Sequence, residues 1–87
     1  MSEWFTYILY SSKIDKYYIG STSNLKSRLE RHNASWGRYT KKGIPWNVHY
    51  YESFDSKSKA LIRENEIKKM KSRKYIEGLI RAGGRPD

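Results

Sequence analysis

The chain has 87 residues, with 18 Lys and Arg, 9 Asp and Glu, and no cysteine. This length accommodates one compact domain with a modest core, which leaves no room for a second catalytic domain. The absence of cysteine excludes disulfides, thiolate zinc sites and cysteine nucleophiles. The net charge of +9 favours a polyanionic partner, and nucleic acid is the first candidate. A ribosome-associated role, an acidic membrane surface or a merely solubilising charge would give the same number.

The sequence offers no sign of membrane attachment or secretion. It contains no apolar run near the ~20 residues that a membrane-spanning helix needs. Its first five residues, Met-Ser-Glu-Trp-Phe, lack the basic segment and the long apolar stretch of a secretion signal. We therefore expect a cytoplasmic protein with no membrane partner, present as a monomer or a weak homodimer.

The first third of the chain has the pattern of a hairpin followed by a helix. Aromatic and branched residues dominate segments 4–10 and 16–20, which predicts two strands joined by a polar turn. The segment 21–24, Ser-Thr-Ser-Asn, then offers helix-capping groups. In the next segment, 25–32, two leucines recur at the i, i+4 spacing. We expect a short amphipathic helix there.

The rest of the chain predicts a loop, a strand and two helices. Gly, Lys, Ser and Thr dominate segment 33–45, which indicates an exposed basic loop. The aromatic content of segment 46–54 favours a strand, and Asp55 with Ser56 can cap a helix that runs to about Lys71. Ser72 can cap a last helix. The partial apolar stripe of the longer helix consists of Ala60, Leu61, Ile67 and Met70.

This order of elements, ββαβαα, predicts an α+β domain. We expect a small, three-stranded, mainly antiparallel sheet flanked by helices. The domain should occupy residues 1–82, followed by a frayed tail over residues 83–87.

Several polar residues are candidates for chemistry, although each also has an ordinary structural explanation. They are Tyr7, Tyr17, Tyr18, Arg28, His32 and Glu64. Tyrosines in strands are usually core or edge residues, and Arg28 with His32 can form a solvated helix face. Glu64 can balance Lys68 at the i, i+4 spacing. Taken singly, these residues justify only a basic module that binds nucleic acid.

Their combined spacing resembles the signature of a known family. Segment 18–32 reads Tyr-Ile-Gly-Ser-Thr-x-Asn-Leu-x-x-Arg-x-x-x-His, which resembles the second half of the GIY-YIG nuclease signature. Segment 5–7 reads Phe-Thr-Tyr where Gly-Ile-Tyr is typical, so only the tyrosine is kept. The helix around Glu64 and the loop segment 38–40 are similar to motifs of the small standalone members. The resemblance covers residues 4–80, without a counterpart of the late asparagine that some members carry.

The resemblance implies an endonuclease that hydrolyses phosphodiester bonds in DNA. It implies that Tyr7 acts as the general base and that Tyr18 positions water beside it. Arg28 would grip the scissile phosphate, and His32 would support this network. Because a phenol has a reference pKa near ~10, we expect nearby cations to favour the phenolate of Tyr7.

The resemblance also implies a metal site and a structural glycine. Glu64 would hold one Mg²⁺ or Mn²⁺ ion through hard oxygen ligation, with water and phosphate as the other ligands. Gly20 would permit a close backbone approach that leaves the site open.

Basic and polar residues outside this constellation predict a surface that binds nucleic acid. They are Arg38, Tyr39, Thr40, Lys41, Lys42, Lys68 and Lys69. Phosphate contacts position nucleic acid without reading its sequence. We therefore expect low sequence specificity or structure-selective cutting of DNA, as in repair or recombination, with RNA still open as a substrate. Two alternatives remain: a catalytically weak or inactive binding module of the same fold, and an RNA-associated basic protein.

Overall fold

The computed structural model describes residues 3–34 and 38–82, and at positions 38 and 39 it describes the backbone alone. The elements are β1 (Trp4–Ser11), β2 (Lys16–Thr22), α1 (Leu25–Asn33), α2 (Arg38–Lys41), β3 (Asn47–Phe54), α3 (Lys57–Met70) and α4 (Arg73–Arg81). The predicted α+β order ββαβαα is confirmed. The single turn α2 is an addition, since it lies within the segment predicted as a loop. The predicted tail, 83–87, lies outside the described residues.

The three strands form an antiparallel sheet in the order β2-β1-β3. Residues 6–9 of β1 are all buried, because this central strand is covered on both faces. Such coverage explains why the strand reads as a nearly continuous apolar run. The register pairs Tyr7 with Gly20 on β2 and with Tyr51 on β3.

The two faces of the sheet carry separate parts of the core. On the face that we call the α1 face, Tyr7 and Leu9 are buried with Trp46, and Tyr18, Leu25 and Leu29 pack against them. On the opposite face, which we call the α3–α4 face, Ile8 and Tyr50 are buried with Ile67 and Ile76, and Ile19 packs against them. Alternation along each strand sends neighbouring side chains to opposite faces. The helices therefore form one layer on each side of a thin sheet.

Three of the helices begin at the caps that the sequence predicts. The side chains of Asn24, Ser56 and Ser72 each accept a hydrogen bond from the backbone N–H three residues later, which satisfies a donor that the helix leaves open. None of the described helices has the length and apolar character needed to cross a bilayer.

The apolar stripe of α3 is narrower than predicted. Ala60 and Ile67 are buried as expected, but Leu61 is 40% exposed and Met70 is 52% exposed. Residues seven apart share a helix face, whereas Leu61 lies about 100° around the helix from Ala60. The close approach at Ala60 is fixed by Thr6, whose hydroxyl donates to the Ala60 carbonyl oxygen at 2.7 Å.

Candidate active site

The phenol of Tyr7 crosses the backbone of the neighbouring strand at Gly20. The two residues are cross-strand partners, and a Cβ atom at Gly20 would lie 2.5 Å from the Tyr7 hydroxyl oxygen and 2.7 Å from its Cζ atom. Only a residue without a side chain leaves this path free. Gly20 therefore lets the Tyr7 hydroxyl reach the β2 edge of the sheet, which gives the close approach predicted from the sequence a specific partner.

Tyr7 shares the α1 face with a second tyrosine and a histidine. The hydroxyl oxygen of Tyr7 lies 3.3 Å from Nε2 of His32. The ring centroids of Tyr18 and His32 are 4.7 Å apart, and those of Tyr7 and Tyr18 are 6.5 Å apart. The α1 helix supplies His32 one turn after Arg28, so both side chains approach the sheet from the same helix face.

Burial keeps the phenol of Tyr7 protonated. The side chain is fully buried, and this desolvation raises the pKa of Tyr7 to about 12, although the positive charge of Arg28 acts in the opposite direction. We expected the nearby cations to favour the phenolate. In the protein alone, the free-energy cost of burying a phenolate is larger than its stabilisation by the positive charge of Arg28, so the pKa of Tyr7 rises.

Burial also favours the neutral form of His32. The residue is 8% exposed, and its pKa is lowered by desolvation first and then by the positive charges of Arg28 and Arg31. A neutral imidazole has one donor and one acceptor nitrogen. In one tautomer Nε2 accepts from the Tyr7 hydroxyl, and in the other it donates to it.

Glu64 reaches the same edge of the sheet from the α3–α4 face. Its side chain is 14% exposed, and Nζ of Lys68 lies 2.6 Å from one carboxylate oxygen. The hydroxyl of Ser21 on β2 donates to the other carboxylate oxygen. Sequence reasoning missed Ser21, although the alternation along β2 could have indicated it, because a polar residue follows Tyr17 and Ile19 on an otherwise apolar face.

The two halves of the site meet electrostatically at Tyr7. The charges of Arg28 and Glu64 both act on the pKa of the phenol, the first lowering it and the second raising it. The structure therefore brings Tyr18, Arg28, His32 and Glu64 together around the buried phenol of Tyr7, on the β2 side of the sheet. We call this group the edge site.

The edge site can offer a divalent cation one carboxylate. Among the described residues no group of three or more His, Cys, Asp and Glu side chains converges on a point. Mg²⁺ commonly binds one or two carboxylates and completes its shell with water and substrate phosphates. The hard oxygens of Glu64, held by Ser21, fit that mode of binding, provided that Lys68 releases the carboxylate oxygen it contacts.

The residues predicted to bind nucleic acid do not share one environment. Lys41, Lys42 and Lys69 are exposed, and the exposed Lys68 is paired with Glu64. Thr40 is only 3% exposed, which places its side chain away from the surface where we expected it. The side chains of Arg38 and Tyr39 lie outside the described part of the chain.

Trp46 explains the burial around Thr40. Its indole N–H donates to the Thr40 carbonyl oxygen at 2.7 Å. Its backbone N–H and C=O pair with the side-chain amide of Asn33 at 2.6 and 3.0 Å, and its ring packs against Gly43, where a Cβ atom would lie only 2.4 Å away. These contacts fix α2, which ends at Lys41, and the following Lys42 to the end of α1.

Comparison with known proteins identifies the family. Residues 3–76 match the GIY-YIG catalytic domain, and this span contains every residue of the edge site. The chain belongs to the GIY-YIG family. GIY-YIG is a nuclease family whose members act on nucleic acid and generally depend on divalent metals, so the resemblance seen in the sequence is confirmed.

Individual relatives agree with this family and with the fold. UPF0213 proteins of Streptococcus pyogenes serotypes M5 and M1 are each 47% identical to the chain over 57 residues. The alignments cover 64% of the chain and 62% of each relative, so the chain spans less than two thirds of their length. The solution NMR structure of the UPF0213 protein BH0048 from Bacillus halodurans matches with a TM-score of 0.60 and 29% identity, over 97% of the chain and 88% of that protein.

Proposed function

We propose that the chain is a metal-dependent endonuclease that hydrolyses phosphodiester bonds in DNA, with low sequence specificity or a preference for particular DNA structures. The observation that supports this most directly is the path of Tyr7 across Gly20 to the edge where Arg28 and Glu64 act on it. Phosphodiester hydrolysis requires a nucleophilic water, charge neutralisation at the phosphoryl oxygens and a stabilised leaving alkoxide. The edge site contains a candidate for each task.

Tyr7 and His32 together would handle the proton of the attacking water. A phenol with a pKa of about 12 keeps its proton at neutral pH, so it can accept a proton from water only while it passes its own to another base. The 3.3 Å between the Tyr7 hydroxyl and Nε2 of His32 suits that transfer. The proton of water moves to the Tyr7 oxygen and the phenolic proton moves to Nε2. The water oxygen then bonds to phosphorus as the bond to the leaving oxygen breaks.

Arg28 and Glu64 would handle the charge on the phosphate. Arg28 is half-buried, and its guanidinium can donate two parallel hydrogen bonds to phosphoryl oxygens. Glu64 would hold the Mg²⁺ or Mn²⁺ ion, and Ser21 would fix the orientation of its carboxylate. When bound, the cation supplies charge neutralisation to the phosphoryl and leaving oxygens. Tyr18, whose ring lies beside His32, would help to position the attacking water.

The exposed lysines support binding of a polyanion. Lys41 ends the turn α2, which Trp46 fixes to α1, Lys42 follows it, and Lys69 lies on α3. Contacts of this kind hold the phosphate backbone and weaken as salt increases. They carry no sequence information, which supports low sequence specificity and leaves a structural preference to the shape of the site.

The deciding experiment is a cleavage assay with labelled single-stranded, duplex, flapped and branched DNA, and with RNA, in Mg²⁺ or Mn²⁺. Wild type is compared with Glu64→Ala and with Glu66→Ala. Glu66 is a matched control because it lies on the same helix and carries the same charge, but its side chain is 58% exposed and pairs with Arg63. We expect wild type and Glu66→Ala to cut DNA and Glu64→Ala to be inactive.

Other outcomes would redirect the assignment. Equal cutting by Glu64→Ala would remove Glu64 from the chemistry. Tight binding without cutting by any of the three proteins, all shown to be folded by circular dichroism, would identify a binding module. Cutting of RNA alone would change the substrate class.

A further inference from the structure

A groove of about 360 Å³ lies between β2 and the corner where α3 passes into α4. Its floor is apolar and includes Tyr17, Ile19 and Ile76, and its rim includes Lys16, Lys68 and Lys71. The volume is near the lower end of the ~300–1,000 Å³ typical of small-ligand pockets. The groove thus combines an apolar floor of limited size with a cationic rim.

The groove is continuous with the edge site. On β2, Tyr17, Ile19 and Ser21 alternate with residues of the α1 face, so all three point to the α3–α4 face. Beside them, Glu64 and Lys68 lie one turn apart on α3, and Lys71 caps the end of this helix. Ser21 contacts Glu64, and Lys68 both lines the groove and pairs with Glu64 at 2.6 Å. One end of the groove therefore lies next to Glu64, the proposed metal ligand of the edge site.

Two of the three lysines on the rim of the groove lie outside the ion pairs of the described residues, whereas Lys68 is paired with Glu64. No ion pair is found for Lys16 or Lys71 among the residues that the structure describes. Arg73, which also lines the groove, is neutralised by Asp15 at 2.6 Å and Glu77 at 3.0 Å, and its guanidinium lies 5.1 Å from the ring centre of Tyr17. An anion in the groove would therefore be attracted chiefly by the ammonium groups of Lys16 and Lys71.

We propose that this groove binds one unpaired nucleotide of a DNA strand, next to the phosphodiester bond that the edge site cuts. The base contacts the apolar floor and its flanking phosphates contact Lys16 and Lys71. The proposal rests on the proposed function for the position of the cut, but binding in the groove stands on its own geometry. A duplex keeps its bases stacked and paired, so only a single-stranded, flapped or flipped-out nucleotide can fill the floor.

The test measures binding in EDTA by fluorescence anisotropy, so that no cleavage contributes. The first probe is a single strand of about ten nucleotides, a length within the range for single-strand-binding sites. The second probe has the same phosphate backbone with abasic sites, and the third is the corresponding duplex. Because base contacts with aromatic and apolar floors contribute strongly, we expect the abasic strand to bind roughly tenfold more weakly than the normal strand. Equal binding of the two single strands would overturn the proposal.

A pair of charge reversals tests the location. Lys16→Glu with Lys71→Glu changes the groove, and Lys57→Glu with Lys59→Glu makes the same change in net charge at the opposite end of α3. The control pair gives up the exposed ion pair of Lys59 with Asp55 and the contact of Lys57 with the Trp4 ring, but it places carboxylates in the first turn of that helix, where the helix dipole favours them. We expect the groove pair to abolish the difference between normal and abasic strands and the control pair to preserve it, with both variants folded by thermal melting. The reverse result, or equal effects, would exclude the groove.

The two proposals fail in different ways. A base-dependent difference that Lys16→Glu with Lys71→Glu abolishes supports the groove even when no cleavage is found in the metal-dependent assay. Metal-dependent cleavage without any base-dependent difference keeps the nuclease and removes the groove.

Discussion

The two faces of the sheet differ in whether the residues of the proposed active site also belong to the hydrophobic core. On the α3–α4 face the core is formed by Ile8, Ile67 and Ile76 with Tyr50, while Glu64 stands at the rim. On the α1 face Tyr7 is fully buried, and it is also the central residue of the proposed reaction. On the α3–α4 face the core residues and the proposed metal ligand are different residues. On the α1 face Tyr7 belongs to both the core and the proposed active site.

This difference has an electrostatic consequence. Burial raises the pKa of Tyr7 and lowers the pKa of His32, so it favours the neutral form of both partners. In the proposed transfer Tyr7 gives up one proton as it takes another and stays neutral, and the single positive charge forms on His32. At the rim of the other face, Glu64 keeps contacts with Ser21 and Lys68 that suit a carboxylate. The α1 face thus contains the residues of the proposed proton transfer, and the edge of the α3–α4 face contains the proposed metal-binding carboxylate of Glu64.

On the α1 face, the largest effect is expected from removing the hydroxyl of Tyr7 or the guanidinium of Arg28. Tyr7→Phe keeps the buried ring and deletes the hydroxyl, so we expect little loss of stability but a decrease in cleavage rate of about a hundredfold or more. Arg28→Ala should decrease the rate by at least as much. Single-turnover cleavage and thermal melting measure the two properties separately. Tyr51→Phe is the matched control, since Tyr51 packs on the same face and pairs with Tyr7 across the sheet. A near-normal rate in Tyr7→Phe would overturn its assigned role.

The next prediction tests whether a change in the packing around Tyr7 changes both the stability of the protein and its cleavage rate. In Gly20→Ala the new methyl group would meet the Tyr7 hydroxyl at 2.5 Å, so the phenol must move. We expect a loss of about 1–3 kcal/mol in the free energy of unfolding, as for other overpacked sites, together with a decrease in cleavage rate. Chemical denaturation and single-turnover kinetics provide the measurements.

Gly78→Ala provides the opposite control for Gly20→Ala. Gly78 lies in α4 with nothing within 4 Å of its missing Cβ atom. Alanine there should stabilise the helix by up to about 1 kcal/mol and leave the cleavage rate unchanged. If Gly20→Ala changed neither the stability nor the cleavage rate, the Tyr7 phenol could shift away from the new methyl group, and its contact with Gly20 would not be essential.

The sequence predicts the features that depend on neighbouring residues. The caps at Asn24, Ser56 and Ser72 were predictable because each forms its hydrogen bond within one turn. The strand pattern of β1 was predictable because its central residues are covered on both sides. Local chemistry determines these features before the chain folds.

The features that the sequence did not predict join distant parts of the chain. Ser21 and Glu64 meet only because α3 packs beside β2, and the burial of Thr40 follows from the hydrogen bond of the Trp46 indole. The raised pKa of Tyr7 depends on its burial, which composition and spacing do not contain. The family signature supplied the candidate site residues, but their contacts required the register of the sheet and the position of each helix.

A smaller effect concerns the dependence of the reaction on pH. The proposed proton transfer requires neutral His32, and its pKa lies below the ordinary ~6.5 of imidazole. The cleavage rate should therefore stay level as the pH falls through that value. Below the lowered pKa, where the imidazole becomes protonated, it should decrease about tenfold per pH unit.

Two histidine variants connect that pH dependence with a residue. His32→Gln should lower the rate and remove the acidic decrease, whereas His49→Asn should keep it, because His49 lies on β3 beside Tyr10. If the decrease persisted in His32→Gln, another group would be responsible, and the proton transfer from Tyr7 to His32 would be wrong.

The smallest effect concerns the rim of the α3–α4 face, where Lys68 and a cation would compete for Glu64. The Lys68 side chain is 50% exposed and contacts the carboxylate at 2.6 Å, and ion pairs with such exposure contribute about 0.2–1 kcal/mol. Lys68→Ala should therefore tighten binding of Mn²⁺, measured by electron paramagnetic resonance without nucleic acid, by no more than about fivefold. Lys69→Ala removes the same charge from the next position of α3 and should change the affinity less. Equal changes would mean that only the overall charge matters. Weaker Mn²⁺ binding in Lys68→Ala would mean that Lys68 helps to hold the carboxylate in place. On this face too, a contact that stabilises the structure would then also support the proposed active site.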